Sequence, residues 1–201
     1  AGAKPRSSVL FAAWSGEEEG LYGSYAYVNS PYFPIAETIA YLNLDMVGNG
    51  EPLLFESSGT HKALRAVTTE SAKQLGVTLS VQGYEGDSDH APFEEKGVPN
   101  LMFIYWPYEE YHTPSDTPDR VSRANLLDTA KLTALIALKL SEATVFSIIT
   151  SVTEVTLGTN TITSTDHATT AATNMASEAA TLVTAETTII AGVALVVACA
   201  I

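Results

Sequence analysis

Cysteine is almost absent, with Cys199 the only one in 201 residues. A single thiol forms no internal disulfide and no cysteine-based metal site. Basic residues are scarce as well: 10 Lys and Arg stand against 23 Asp and Glu, for a formal charge of −13. That balance excludes nucleic acid as a partner, because phosphate contacts need clustered Lys and Arg. It fits a secreted or salt-tolerant protein. No apolar run reaches the roughly 20 residues of a membrane-spanning helix; the longest is IIAGVALVVACAI, residues 189–201. The opening AGAKPRSSVL has neither an initiator Met nor a secretory leader, and reads as the middle of a longer polypeptide.

What is present alternates between two periods. Residues 9–14 (VLFAAW) form a continuous apolar run, which predicts a strand buried on both faces. TIAYLNLDM (38–46) predicts a second buried strand, residues 53–56 a short third, VTLSVQ (77–82) another, and VPNLMFIYW (98–106) the last convincing one. Between them, residues 20–29 are compatible with a helix. Ala63, Leu64, Val67, Ala72 and Leu75 recur at helical spacing, and residues 125–140 read as an amphipathic helix. Strands alternating with helices predict an α/β three-layer sandwich around a largely parallel sheet.

The composition changes near residue 141. Beyond Lys139 there is no Lys or Arg, and Thr, Ala and Ser dominate. Residues 143–188 therefore read as a stalk or linker, open to O-glycosylation. The apolar residues 189–201 read as a membrane-anchor remnant or the hydrophobic tail of a lipid-anchor signal, with a final core strand or helix as the plainer alternative. Residues 1–142 are the compact unit.

In α/β sheets, ligands bind beyond the carboxyl ends of the strands. Glu17 and Glu18 follow the first strand, Asp45 closes the second, and EEYHTPSD, with His112, follows the last. Carboxylates and an imidazole on loops fixed by rigid strands match the donor set of a catalytic zinc. Adjacent carboxylates in a half-buried turn repel one another unless a cation or a shared proton relieves them. Taken singly, each residue has a plainer reading. EEE starts a helix, Asp45 caps a turn, and His112 and His90 sit hydrogen-bonded in loops. His61 and His167 have no partner pattern.

The blocks VLFAAWSGEEEGLYGS, YLNLDMVG, SDHAPFEEKGVPNLMF and YHTPSDTPD, in this order, resemble the co-catalytic zinc aminopeptidases, whose superfamily includes glutaminyl cyclases and the transferrin-receptor ectodomain. The likeness covers about residues 4–142. It implies Glu17 as general base, Glu18 and Asp45 as ligands of two zinc ions, and His112 sharing a zinc with Glu18. It also implies Tyr111 as an oxyanion stabiliser and Asp89 and His90 on the substrate side. Glu19 stands outside the implied set.

The function implied is hydrolysis of N-terminal peptide bonds by metal-activated water, on peptides with a free N-terminus. The resemblance further implies a His in an HxD segment and a bridging Asp, both upstream of the first strand. Neither has a counterpart before Val9, so residues 1–142 are expected to be the C-terminal part of a peptidase domain that needs them. An extracellular or cell-surface setting, attached through the tail, goes with this reading. The rivals are a glutaminyl-cyclase-like transferase, a non-catalytic receptor domain, and a carboxypeptidase that would grip a carboxylate with Arg65, Arg120 or Arg123.

Overall fold

The computed structural model describes residues 7–142 and, as backbone, 194–200. The stalk expected over 143–188 lies outside the described residues. The strands are β1 (Ser8–Trp14), β2 (Thr38–Leu44), β3 (Leu53–Glu56), β4 (Ser80–Gln82), β5 (Asn100–Tyr105) and β6 (Ala194–Ala200). They form one sheet in the order β1-β6-β2-β5-β3-β4. Every neighbouring pair is parallel except β3 and β5. The mixed sheet thus departs from an all-parallel one at a single ladder.

Helices α1 (Tyr22–Asn29), α2 (Lys62–Leu75), α3 (Ala91–Glu95) and α4 (Arg123–Glu142) complete the sandwich. The strand period of two decides which side chain meets which layer. Ala40 and Leu42 join Phe55, Leu101 and Phe103 under α2 and α4, which supply Leu64, Leu132, Ile136 and Leu140. Tyr41, one residue along, points to the other face with Trp14, Val28, Phe93 and Val98. There the Tyr41 and Phe93 rings stack, with centroids 3.8 Å apart and planes 4° from parallel. Because β2 and β5 are covered on both faces, they read as largely apolar runs rather than alternating ones.

Three elements differ from their sequence reading. Among the described residues β1 is the outermost strand and only half covered, with Phe11 79% exposed. A continuous apolar run does not distinguish an edge strand from a central one. β4 is reduced to three residues at the opposite edge. The loop GYEGDSDHAPF runs into the short helix α3, whose five residues are too few to show a period. The apolar tail also has a place, since residues 194–200 lie inside the sheet as β6. No helix among the described residues is long and apolar enough to cross a membrane.

Candidate functional site

The turn after β1 is built around glycine. Gly16 takes a φ of 71°, and the Gly20 and Leu21 amides donate to the Glu17 carbonyl at 3.0 and 2.9 Å. The Gly23 amide donates to Ser15 O at 2.9 Å. A Cβ on Gly23 would sit 2.8 Å from Ser15 N, so only glycine lets α1 start this close to the strand. The compact turn leaves Glu17 half-buried, with Glu18 and Glu19 exposed.

Asp45 is fixed from behind. Its amide donates to Phe103 O at 3.0 Å, which ties the end of β2 to β5. Ser88 Oγ donates to Asp45 Oδ2 at 2.6 Å and accepts from Asn43 Nδ2 at 2.9 Å. Asn43 Oδ1 accepts from the Tyr41 hydroxyl at 3.0 Å, and that hydroxyl accepts from Trp14 Nε1 at 2.9 Å. A buried relay therefore runs from the last residue of β1 to the carboxylate beyond β2.

Ser88 is held by its own loop. Glu56, at the end of β3, accepts at Oε1 from the amides of Glu85 and Gly86 at 2.6 and 3.1 Å. His90 Nε2 donates to the same oxygen at 2.9 Å. Burial alone would raise the Glu56 carboxyl, but these donors outweigh it and hold the group below its usual range. Glu56, Asp87 and His90 offer ligand atoms within 4.8 Å of one another, and Glu56 anchors that group.

After β5, the chain brings Tyr108, Tyr111 and His112 round to the same edge. His112 has a φ of 55°, in the left-handed region that a side chain rarely adopts. Its ring stacks on Tyr111 at 3.8 Å, and its Nε2 lies 2.5 Å from Glu18 Oε1. Met46, beside Asp45, also has a positive φ, of 52°. Two strained non-glycine residues at one edge are typical of a functional site.

These loops enclose a cavity of about 480 Å³ lined by Glu17, Glu18, Asp45, Asp87, Tyr111 and His112. Met46, Met102, Ile104 and Val121 contribute apolar lining. No Lys or Arg lines it. Burial, followed by the charges of Asp45, Glu18, Asp89 and Asp87, pushes the Glu17 carboxyl from 4.5 up to about 7. Asp45 is also raised, chiefly by burial, although the Ser88 hydrogen bond pulls the other way. Burial and the neighbouring carboxylates raise Tyr111, which keeps its hydroxyl a neutral donor.

The family model for peptidase family M28 matches residues 1–137. The chain belongs to peptidase family M28. Over 154 residues this M28 chain is 30% identical to a probable leucine aminopeptidase of Arthroderma otae, covering 71% of this chain and 42% of that one. It is 29% identical over 130 residues to aminopeptidase YwaD of Bacillus subtilis, covering 59% and 29%. Among solved structures, the aminopeptidase from Aneurinibacillus sp. strain AM-1 superposes with a TM-score of 0.55 at 32% identity, over 64% of this chain and 32% of that chain. The zinc aminopeptidase BSAP of Bacillus subtilis gives 0.59 at 26%, over 65% and 35%. The M28 chain thus spans less than half the length of these relatives.

Within this M28 fold, the residues singled out in the sequence separate into two groups. Glu17, Glu18, Asp45, Tyr111 and His112 meet at one cavity. Asp89 and His90 do not line it, because both are completely buried. The resemblance implied a substrate-side position for both; in this structure they lie behind the cavity. Asp89 Oδ1 accepts from Ser24 Oγ at 2.5 Å behind the Glu17 turn, and His90 clasps Glu56. Ser88, Asn43 and Asp87 were missed. Ser88 and Asp87 flank no helical or strand period, and only the fold brings Asn43 within reach of Ser88. The relay from Ser88 orients Asp45, so Ser88→Ala is expected to weaken zinc binding about 10- to 100-fold with the melting temperature little changed. Zinc titration with thermal unfolding as control checks this.

Proposed function

We propose that this chain carries the catalytic edge of a zinc-dependent aminopeptidase. The convergence of Glu17, Glu18, Asp45 and His112 on one cavity without a lining Lys or Arg carries the reading. The donor chemistry fits a divalent cation. Carboxylates crowd together, raise one another's pKa, and face an imidazole, and a cation would relieve that repulsion. Glu18, Asp45 and His112 would hold zinc. Bound there, zinc would supply Lewis acidity toward the scissile carbonyl and toward water.

The chain's own residues do the rest. Glu17, poised near neutrality, takes the proton of the attacking water and hands it to the leaving amine. The neutral Tyr111 hydroxyl donates toward the oxyanion. Asp87 and the other acidic groups suit an α-ammonium group. The apolar lining from Met46, Met102, Ile104 and Val121 suits an apolar first side chain. Arg65 is committed to Ser57 O at 2.7 Å, and Arg120 pairs with Glu110 at 3.1 Å, so neither offers a carboxypeptidase grip.

Hydrolysis of aminoacyl-anilides by the polypeptide carrying these residues, together with any preceding sequence its gene encodes, tests the reading. Zinc-dependent release from leucyl but not N-acetyl-leucyl substrates is expected. Equal cleavage of both would refute an aminopeptidase.

The raised carboxyls also set the response to pH. Folded Glu17 holds its proton more tightly than the unfolded chain does. Its stabilising contribution is therefore complete below about pH 4.5 and lost as pH rises through about 7. The metal-free protein is expected to melt at a lower temperature at pH 8 than at pH 5. Added zinc, whose ligands must be deprotonated, should raise the melting point more at pH 8. Calorimetry at both pH values, with and without zinc, measures the difference.

A further inference from the structure

The segment that leaves β5 is fixed in its backbone before it reaches the cavity. The Tyr105 amide donates to Met46 O at 3.4 Å, and the Trp106 amide donates to Pro52 O at 3.2 Å. Gly50 has a φ of 97°, and a Cβ there would lie 2.8 Å from Tyr105 O and 3.0 Å from Pro107 O. Only glycine lets the turn beyond Asp45 pass so close beneath Trp106. That turn is pinned in its own right. Asn125 Nδ2 donates to Gly50 O at 3.1 Å, and the Ser122 amide donates to Gly48 O at 2.7 Å. Trp106 therefore stands on a rigid base.

Tyr111 has no such base. Among the described residues its hydroxyl makes no hydrogen bond, so rings alone orient it. Trp106 meets it edge to face, with centroids 5.0 Å apart and planes at 89°, the arrangement aromatic pairs favour. Tyr108 adds a second edge at 6.1 Å and 72°. The His112 ring stacks on Tyr111 at 3.8 Å, but the two are neighbours in the chain and would shift together. Tyr108 sits further along the same loop, its hydroxyl donating to the exposed Asp116 at 3.0 Å. Of the three rings, only Trp106 belongs to a residue tied to the end of the sheet. Trp106 is not itself among the residues that line the cavity, so any effect it has on catalysis passes through Tyr111.

We propose that Trp106 is a positioning residue for Tyr111, its ring edge fixing the phenol at the angle from which the hydroxyl is offered to the oxyanion. A donor held in place beforehand stabilises developing charge more than one that must first be ordered. The consequence for turnover rests on the oxyanion reading of Tyr111 above; the clamp itself does not.

Two measurements test it on the polypeptide that carries these residues, together with any preceding sequence its gene encodes. The first is the kinetics of aminoacyl-anilide hydrolysis. Trp106→Ala should lower kcat about 10-fold, with KM and zinc affinity little changed. Trp106→Phe keeps a ring edge and should recover most of that loss. In a Tyr111→Phe background, Trp106→Ala should cost less than about 2-fold more, because the group it positions is already gone. An unchanged kcat in Trp106→Ala, a loss seen only in KM, or the full loss repeated in the Tyr111→Phe background overturns the proposal. The second is fluorine NMR relaxation of a fluorotyrosine placed at position 111. Trp106→Ala should add side-chain motion there and Trp106→Phe should suppress it; unaltered relaxation overturns the clamp. If Trp106→Ala does not fold, Trp106→Leu, which keeps bulk without a ring edge, replaces it in both measurements. Should Tyr111→Phe alone turn over at the wild-type rate, the oxyanion reading fails, and relaxation still decides the clamp.

Discussion

In a Glu17→Gln variant, turnover of an aminoacyl-anilide falls by about 10²- to 10⁴-fold, the usual contribution of a positioned general base. Glutamine keeps the volume and one acceptor oxygen but cannot take a proton. The loss should therefore appear in kcat, with KM little altered. Zinc affinity should be retained or improved. The substitution removes a carboxyl that burial and Asp45, Glu18, Asp89 and Asp87 hold up near 7, and so relieves repulsion within the cavity. The same reasoning predicts that the metal-free variant loses part of its stability dependence between about pH 4.5 and 7. Turnover near the wild-type value would remove Glu17 from the base role. A parallel loss of zinc would instead place Glu17 among the ligands.

Phe93→Ala costs about 3–5 kcal/mol of folding stability, read as a shifted urea midpoint at unchanged slope. Phe93 is completely buried. It stacks on Tyr41 at 3.8 Å and lies 6.2 Å from Trp14 and 5.9 Å from Tyr27. Truncation would open a void among rings that belong to β1, α1 and β2, and large rigid neighbours collapse poorly into such a space. The hydroxyl of Tyr41 relays from Trp14 to Asn43, so slackening this seam also loosens the chain of bonds that ends on Asp45. Zinc binding should weaken along with stability. A cost below about 1.5 kcal/mol would mean the seam repacks around the missing ring.

Much of the site is legible in the primary structure because the chemistry lies just past strand ends. VLFAAW and TIAYLNLD are largely apolar runs with carboxylates at or just past their ends, a strand-to-loop transition with few alternative readings. Helices α2 and α4 are legible within a few residues because 62–75 and 123–142 carry helical spacing over several turns. Asp89 and His90 were placed on the substrate side because their block sits beside the site in sequence. The structure turns both inward, since α3 begins at Ala91 and packs Phe93 into the core. Nothing local records that turn, because a five-residue helix leaves no period.

Residue type and local period alone set carboxylates and an imidazole in loops after strands, and the resemblance gave those residues their roles; the acidic balance argued against a nucleic-acid partner. Tertiary structure decided which of these groups meet. It brought Glu18 against His112 across 94 positions of chain and sent Ser88 to Asp45 across 43. It also paired residues 194–200 with β1 and β2, which matches the core-strand alternative for the apolar tail. Such pairings depend on which strand edge offers free donors and acceptors once the rest of the sheet has formed. That property belongs to the folded surface, and a one-dimensional pattern does not carry it.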